Sequence, residues 1–512
     1  MMNFHPSLHF ENGAANTKLV YPNHFVNGGR SYYTFYVSRL NSADNSYGVV
    51  YTFNEGRQNE NGWRYGNPWM RTDDHLVATN TPPLMGGMVS TFRTNTTTSV
   101  DQLFFNGGWL ASMSNARAMN AGSGSSVIGN ENLATTYPFY GHIQEIIVLS
   151  TSAGLPLNTT EIEKVHTYLS LKYGVGLNDT NRLKNSSGQN IWDATGINLN
   201  YRSNLFGIGK DSGSGLDQKQ SVNYNNKFAT VFLGSLAALN KENTSNLNDN
   251  TFLIFGSNGL KGTAPYNYLP GTSFRNGSIS TEVNKITKTI LKATTYGQSS
   301  FTVNIRPERT ASYVLVSQNA TFAPSSTRIY PLDNNKVAND VVVNHNDYIA
   351  YAYYQTAPGG INDGLRVWLN AAEENVDVSG DNVDVWRDLT SHGNDYSVAA
   401  VDFSDKTNPK YWKAYGLMNY QPAVSFDLTS YLAIAGNGSS ISKPMSTDAP
   451  SGFTSFVLYY SAPSTKSTYY THGFGSTDPR STTNRYPAMG FDAADKQGRS
   501  RNNGSGQTDN NG

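Results

Sequence analysis

The 512-residue chain contains no cysteine. Disulfide staples, thiolate zinc sites and a cysteine nucleophile are excluded outright. The absence is compatible with export as well as with a reducing compartment, because a chain of this length buries enough apolar surface to stand without cross-links. Charge is scarce too: Lys plus Arg is 38, Asp plus Glu is 38, and charged residues make up 15%. With a net charge of zero, the chain lacks the basic patch that nucleic-acid binding needs for counterion release, so no nucleic-acid partner is expected. No run of 18 or more apolar residues occurs, so no helical membrane span is expected. The N-terminus shows no basic n-region followed by an apolar h-region, so no signal peptide is visible.

Gly (47), Tyr (32) and Phe (23) are abundant, and Asn, Ser and Thr supply the polarity that charges supply elsewhere. Tyr, Thr and Val suit pleated surfaces, Asn, Gly and Ser suit turns, and helical surfaces favour Glu, Lys and Arg. The composition predicts an all-β protein.

One nine-residue pattern occurs twice: Met2–Phe10 reads MNFHPSLHF and Met418–Phe426 reads MNYQPAVSF. A β-branched and aromatic run follows each copy, TFYV from Thr34 and SFVL from Ser455. Spacing this long marks duplicated domains, since solenoid periods are ~20–50 residues. The first copy continues through Gly141–Tyr173 with nothing before its motif. The second has a lead-in, Gly364–Leu417, and no such ending. The expectation is a window on a longer repetitive protein, opening inside one copy and closing inside the next.

Residues 1–154 read as a jelly roll lacking its first strands, with strands at Ser7–Phe10, Tyr32–Ser38, Tyr47–Phe53, His75–Ala78, Val89–Phe92, Asp101–Phe105, Ser126–Ile128 and Gly141–Leu149. Asn106-Gly107-Gly108 is a hairpin turn. A helix is predicted after Leu157, capped by Asn158 with Glu161 closing a capping box. Ile162, Val165 and Leu169 form its stripe, and Gly174 sits at C′. Residues 155–177 thus link the jelly roll to a sandwich at 178–356. That sandwich has strands at Phe228–Leu233, Thr251–Phe255, Thr287–Ala293, Ser300–Ile305, Tyr313–Gln318 and Tyr348–Tyr353. A linker at 357–360 leads to a second jelly roll at 361–512, opening with a strand at Gly364–Leu369 and holding Trp368 and Trp386 in its core. Its end, Gln497–Gly512, is expected to be disordered or an unpaired loop.

Chemistry is sparse. Glycanases on such folds need two facing carboxylates ~5–9.5 Å apart, which a strand shows as alternating acids. Glu145 stands alone among Ile143, Ile146, Ile147 and Val148. Gly122-Ser123-Gly124 and Gly213-Ser214-Gly215 read as turns rather than nucleophile elbows. The nine histidines form no visible metal cluster, and His5 and His9 lie on a strand segment spanning roughly 13 Å. No enzymatic activity is expected. Calcium is the one candidate cofactor: Asp377, Asp381 and Asp384 surround Gly380 and offer hard oxygen donors, and Asp73-Asp74 form a second acidic pair. The alternative is solvated turn acids with Asx hydrogen bonds. For ligand binding, the segment Gly62–Trp69 reads as an aromatic loop. Trp63, Tyr65 and Trp69 are candidates to stack on sugars, and Arg64 adds a cation–π partner. The alternative places these rings in the core.

A resemblance adds to this reading. The segment GLRVWLNAAEENVDVSGDNVDVWRDLTSHGND at Gly364–Asp395, followed by NYQPAVSFD, resembles the opening of a LamG-like jelly roll of the concanavalin A-like lectin/glucanase superfamily. FFNGG at Phe104–Gly108, IGN at Ile128–Asn130 and YGHIQEIIVLS at Tyr140–Ser150 resemble its other half. LPLNTTEIEKVHTYLSLKYGVGL at Leu155–Leu177 is similar to the helical exit of such domains. NLFGIGKDSGSGLDQKQS at Asn204–Ser221 and FLIFGSNG at Phe252–Gly259 resemble a β-sandwich of unknown function that follows these jelly rolls in large exported proteins of Bacteroidota. The resemblance implies a fragment of a repetitive, secreted or cell-surface, adhesin-like protein that is non-enzymatic and binds glycans or surface proteins. Two alternatives stay open: accessory domains of a glycoside hydrolase whose catalytic module lies elsewhere, or a passive stalk.

Overall fold

The computed structural model describes residues 2–11, 18–23, 31–41, 48–54, 58–72, 75–78, 86–94, 100–114, 124–131, 137–151, 157–178, 182–265, 273–274, 277–278, 283, 285–353, 358–360, 365, 367–372, 375–389, 395–398, 407–427, 430, 432–434, 458, 470–475, 488–492, 497–501 and 507–509. The chain forms two compact units, Met1–Leu260 with Tyr266–Tyr354, and Lys261–Pro265 with Gln355–Gly512.

The first unit opens with strands β1 (Leu8–Phe10), β2 (Leu19–Tyr21), β3 (Ser31–Leu40), β4 (Gly48–Asn54), β5 (Gln58–Arg64), β6 (Asn67–Thr72), β7 (His75–Ala78), β8 (Gly86–Thr94), β9 (Val100–Phe105), β10 (Gly108–Ser114), β11 (Ser126–Ile128) and β12 (Gly141–Thr151). They build two six-stranded sheets, β1-β12-β3-β8-β9-β10 and β2-β11-β4-β5-β6-β7, antiparallel throughout. Their shared interior holds Tyr36, Leu40, Val50, Tyr51, Phe53, Val89, Leu103 and Phe139. This is the jelly roll the sequence implied.

Strand β3 explains what comes next. Its sequence, SYYTFYVSRL, is buried almost without interruption, as expected of a strand covered on both faces. Tyr32, Tyr36 and Leu40 enter the jelly-roll interior, while Tyr33, Phe35 and Val37 point the other way into a second core. Helix α1 (Thr159–Tyr173) covers that second face. Asn158 caps it, the box with Glu161 is closed in both directions, and Gly174 ends it in the left-handed region at φ 65°. The glycine is needed twice over, since a Cβ there would also lie 2.2 Å from the Val222 carbonyl oxygen.

Beyond α1 lie the hairpin β13 (Arg182–Lys184) and β14 (Asn190–Asp193), then β15 (Ser203–Asp211), β16 (Leu216–Gln218), β17 (Gln220–Val222), β18 (Ala229–Phe232) and β19 (Thr251–Ser257). Strand β20 (Thr263–Pro265) belongs to the second unit, and β21 (Ser273–Phe274) pairs with β22 (Gly277–Ser278). The middle domain continues with β23 (Lys285–Thr287), β24 (Leu291–Tyr296), β25 (Ser300–Pro307), β26 (Tyr313–Ser317), β27 (Arg328–Pro331), β28 (Ala338–Asn344) and β29 (Tyr348–Tyr353). One sheet runs β16-β15-β19-β24-β29 and on through β26 to β27, and β23 also pairs with β29. The other runs β17-β18-β25-β28. Strand β19 repeats the logic of β3: Leu253 and Phe255 face the sandwich interior, whereas Phe252 and Ile254 join the core under α1. The helix is therefore packed between two sheets from different domains, with Leu169, Leu171 and Tyr173 in a core shared by both.

In the second unit, β30 (Val376–Ser379) and β31 (Asn382–Trp386) form a hairpin. Strand β31 pairs with β32 (Tyr396–Ser397) and β33 (Lys410–Tyr415), and these pair with β35 (Ala433–Ile434) and β34 (Gln421–Ser425). A four-stranded sheet follows, of β36 (Tyr470–Gly475), β37 (Ala488–Asp492), β38 (Gln497–Arg501) and β39 (Gln507–Asp509).

Several expectations need correction. Gly364–Leu369 contributes, among the described residues, only an isolated bridge from Leu369 to Asp388. Trp386 is half-buried and packs against the Val376–Val383–Tyr411 core, whereas Trp368 is half-buried outside it. Thr287–Ala293 is two strands broken after Thr287, and Gln497–Gly512 carries β38 and β39. No helix among the described residues is long and apolar enough to cross a membrane.

Candidate functional site

The segment read as an aromatic loop is a β-hairpin. Strands β5 and β6 pair from Glu60↔Arg71 to Arg64↔Asn67, and Tyr65-Gly66 form the turn at φ 48° and 77°. The turn residues Gly, Asn and Pro lie largely inside the strands instead. Gly62 is required there because a Cβ would sit 2.1 Å from the Gly48 carbonyl oxygen on β4. Trp63 is 0% exposed, its Nε1 donates to Ser38 Oγ at 2.7 Å, and its ring meets Phe105 edge-on. Trp69 is 1% exposed. Neither indole offers a face to a ligand, so both are corrected from sugar-stacking rings to packed ones. Tyr65 differs: it is 55% exposed, with the Arg64 guanidinium 5.6 Å from its ring centroid. Of the four residues, the turn presents this pair.

A second exposed ring escaped the sequence reading. Trp109 is 61% exposed on β10, the edge strand of its sheet, just past the Asn106-Gly107 turn and at a bulge between Trp109 and Ala111. The signal was available: an edge strand entered from a Gly-Gly turn turns alternate side chains to solvent.

The acidic segment is also a hairpin, with Gly380-Asp381 at its turn. Asp377 pairs with Arg387, and Lys261 approaches its other oxygen at 3.9 Å. Asp384 accepts from the Ser379 hydroxyl and, at 3.0 Å, from Asn408 Nδ2. Asp381 contributes its backbone carbonyl to the Tyr411 amide at 2.8 Å. Cations engage the Asp377 carboxylate and a hydroxyl and an amide that of Asp384, and no group of three or more His, Cys, Asp or Glu among the described residues is arranged to hold a metal. The three aspartates do not fit a calcium cage. Asp73 and Asp74 lie outside the described residues.

The densest polar constellation lies at the joint around α1. Glu145, on β12, accepts from Tyr173 Oη at 2.8 Å, Lys172 Nζ at 2.8 Å and Tyr168 Oη at 3.1 Å. Burial and the neighbouring Glu145 carboxylate push the Tyr173 phenol far up, so it stays a donor. Burial pulls the Lys172 ammonium down, but bonds to Glu145 and Tyr168 more than offset this and leave its pKa raised. His5 stands edge-on to Tyr173 and bonds Gln218 Oε1 through Nε2 at 2.8 Å; burial lowers its pKa. Deeper in, His166 bonds Ser90 on β8 at 2.9 Å, and burial lowers its pKa to about 4. Asn3 closes the joint. Its Nδ2 reaches Leu171 O (3.0 Å), Lys172 O (3.1 Å) and Ser221 Oγ (3.2 Å), and its Oδ1 accepts from the Val222 amide at 2.7 Å. One side chain thus caps the helix C-terminus and ties it to β17.

Further charges are buried elsewhere in the first unit. Arg71 lies 3.7 Å from Glu60 and 3.9 Å from Glu131, carboxylates that are 0% and 1% exposed. Their burial around a shared guanidinium makes them an internal ion cluster rather than a cleft. Lys292, on β24, donates to Asn198 Oδ1 at 3.0 Å and Asn346 Oδ1 at 2.6 Å, and burial lowers its pKa to about 8.

A family described as a domain of unknown function (DUF8202) matches residues 161–347, from the first turn of α1 to the residue before β29. No curated protein matches the chain. Among solved structures, the chain is similar to a heptameric SAP-like pentraxin from Limulus polyphemus, with 14% identity over 31% of this chain and 81% of that one at a TM-score of 0.24. Domain 4 of AbnA, an extracellular arabinanase from Geobacillus stearothermophilus solved with arabinotriose, shares 13% identity over 29% of this chain and 77% of its own at a TM-score of 0.21. The binding domain of botulinum neurotoxin serotype G shares 11% identity over 68% and 84%, at a TM-score of 0.26.

Proposed function

We propose that this chain is a non-catalytic part of a repetitive, exported cell-surface protein of the LamG-like kind, and that it works in adhesion by recognising glycans or surface proteins. The observation that carries the recognition reading is the pair of exposed rings on the first jelly roll. Tyr65, with Arg64 over it, and Trp109 are held out by hairpins that bury Trp63, Trp69 and Phe105. Rings fixed in this way lose little conformational entropy on binding, and their faces suit sugar C–H groups or apolar side chains. The non-catalytic reading is supported by where the shifted groups sit. His166, Tyr173, Lys292, Tyr36, Tyr51 and Tyr351 are buried or engaged inside packed interfaces, not gathered in a cleft.

The test is a glycan array probed with the full chain, in calcium and in chelator, alongside Tyr65→Ala and Trp109→Ala. The expected result is binding in the wild type that falls about tenfold or more in at least one variant, equal in both buffers. Silence from a folded wild-type chain would overturn the glycan reading and favour a protein-binding or spacer role. Hits that need calcium would return attention to Asp377, Asp381 and Asp384.

A further inference from the structure

The repeated motif keeps one unusual backbone feature in both copies. Asn3 and Phe4 are consecutive left-handed residues (φ 44° and 65°), and so are Asn419 and Tyr420 (φ 55° and 56°). Asparagine tolerates this region, but an aromatic residue there is strained, and strain held at matched positions calls for a use.

The first copy shows the use. Met2 is 2% and Asn3 5% exposed, docked where α1 ends. Besides the four contacts of the Asn3 side chain, the Asn3 carbonyl accepts from Gln218 Nε2 at 3.4 Å and the Phe4 carbonyl from the Asn240 amide at 3.0 Å. His5 adds its bond to Gln218. All of these partners lie in α1 and the middle sandwich. In the second copy the same turn stands in solvent, with Leu417 62% and Tyr420 75% exposed and Asn419 exposed as well. Residue by residue the chemistry is retained: Met418 for Met2, Asn419 for Asn3, Tyr420 for Phe4, and in Gln421 an amide donor for the His5 ring nitrogen.

We propose that the Met418–Gln421 turn is a docking element for a helix–sandwich unit of the kind formed by α1 and the middle sandwich through β29, carried by another molecule whose asparagine pocket is vacant. Asn419 enters that pocket as Asn3 enters its own, its amide donating to the last helix carbonyls and its oxygen accepting a strand N–H. The contact is heterologous, one surface meeting a different one, so among chains with an empty pocket it builds rings where the rotation closes and open chains where it does not. The turn belongs to the second unit and the exposed rings to the first, and its test does not depend on what those rings bind.

The wild-type pocket is filled by Asn3, so the test vacates it. A chain lacking residues 1–6, shown to be folded by near-ultraviolet circular dichroism, is examined by sedimentation velocity up to tens of micromolar. Concentration-dependent association is expected, with Asn419→Ala on the same background restoring monomers. A folded, shortened chain that stays monomeric, or associates equally with Asn419→Ala, overturns the proposal. Should the shortened chain not fold, the full chain carrying Phe4→Tyr and His5→Gln grafts the second turn onto the first site. Its melting temperature is expected within about 2 °C of wild type, and a larger loss shows that the second turn does not fit the pocket.

Discussion

Two interiors of the first unit sit back to back and are built on different principles. The jelly-roll interior is aromatic and aliphatic, filled by alternate residues of strands whose other neighbours lie on the opposite face. The joint, on the far side of β3, combines an apolar core with His166, Ser90, Asn3 and the Glu145–Lys172–Tyr168–Tyr173 network. Apolar packing fills volume and tolerates substitutions of similar size, whereas directed hydrogen bonds fix one arrangement of helix and sheets. The jelly-roll interior therefore supplies stability without choosing a partner, and the joint makes the choice. A prediction follows for each side.

The largest effect belongs to the interior. Trp63→Ala removes a ring with no exposure, its edge contact with Phe105 and its bond to Ser38. A loss of about 3–5 kcal/mol is expected in denaturant unfolding. Tyr65→Ala, two residues along, should stay within about 0.5 kcal/mol because its ring is largely in solvent. Equal losses at the two sites would erase the distinction between core and exposed rings.

That pair also marks what the sequence could show. Helix α1 was legible to the residue because its signals are local: the Asn158 cap, Glu161 three residues on, and the C′ glycine at 174. Strand β3 was legible as a strand, but its two-sided burial depends on a helix more than a hundred residues away. The β5–β6 hairpin was misread because Gly62, Asn67 and Pro68 are turn formers, and only the Gly48 carbonyl reveals why a glycine must sit in the strand. In the acidic hairpin the aspartates were visible, but the Arg387 that engages Asp377 was not assigned to them. The joint was hidden for a related reason. Asn3 meets Leu171 and Val222 across 168 and 219 positions, distances over which no periodicity carries information. The repeat is its one trace in the sequence, since Asn3 recurs as Asn419.

Acid should separate the two interiors. Burial lowers the His166 pKa from 6.5 to about 4, so the folded joint holds the ring neutral where the unfolded chain takes up a proton. Stability is constant above about pH 6.5, falls as the pH drops towards 4, and levels off below that. The span corresponds to about 3 kcal/mol. Phe35 packs edge-on to the ring and Ser90 bonds it, and neither carries a charge that would offset the proton. Unfolding measured from pH 7 to 4 should show wild type losing about 3 kcal/mol more than His166→Gln, which removes the titration and keeps a partner for Ser90. Parallel curves would mean that His166 is not neutral in the fold.

The smallest effect probes whether the polar network holds the joint locally or supports the whole unit. Glu145→Gln keeps the shape but exchanges a carboxylate accepting three bonds for an amide with one acceptor oxygen and an NH₂ facing donors. Lys172 and Glu145 are each about one-fifth exposed, so water screens part of their attraction, and the loss should be about 1–2 kcal/mol. Its location matters more than its size. If the network only seats the helix, amide exchange should quicken in α1 and in β17, where Asn3 bridges them, while Val50, Tyr51 and Leu103 in the jelly-roll interior keep wild-type protection. Uniform loss of protection across both regions would make the two interiors one cooperative unit. The helix would then be part of the fold of the jelly roll and not a partner that it selects.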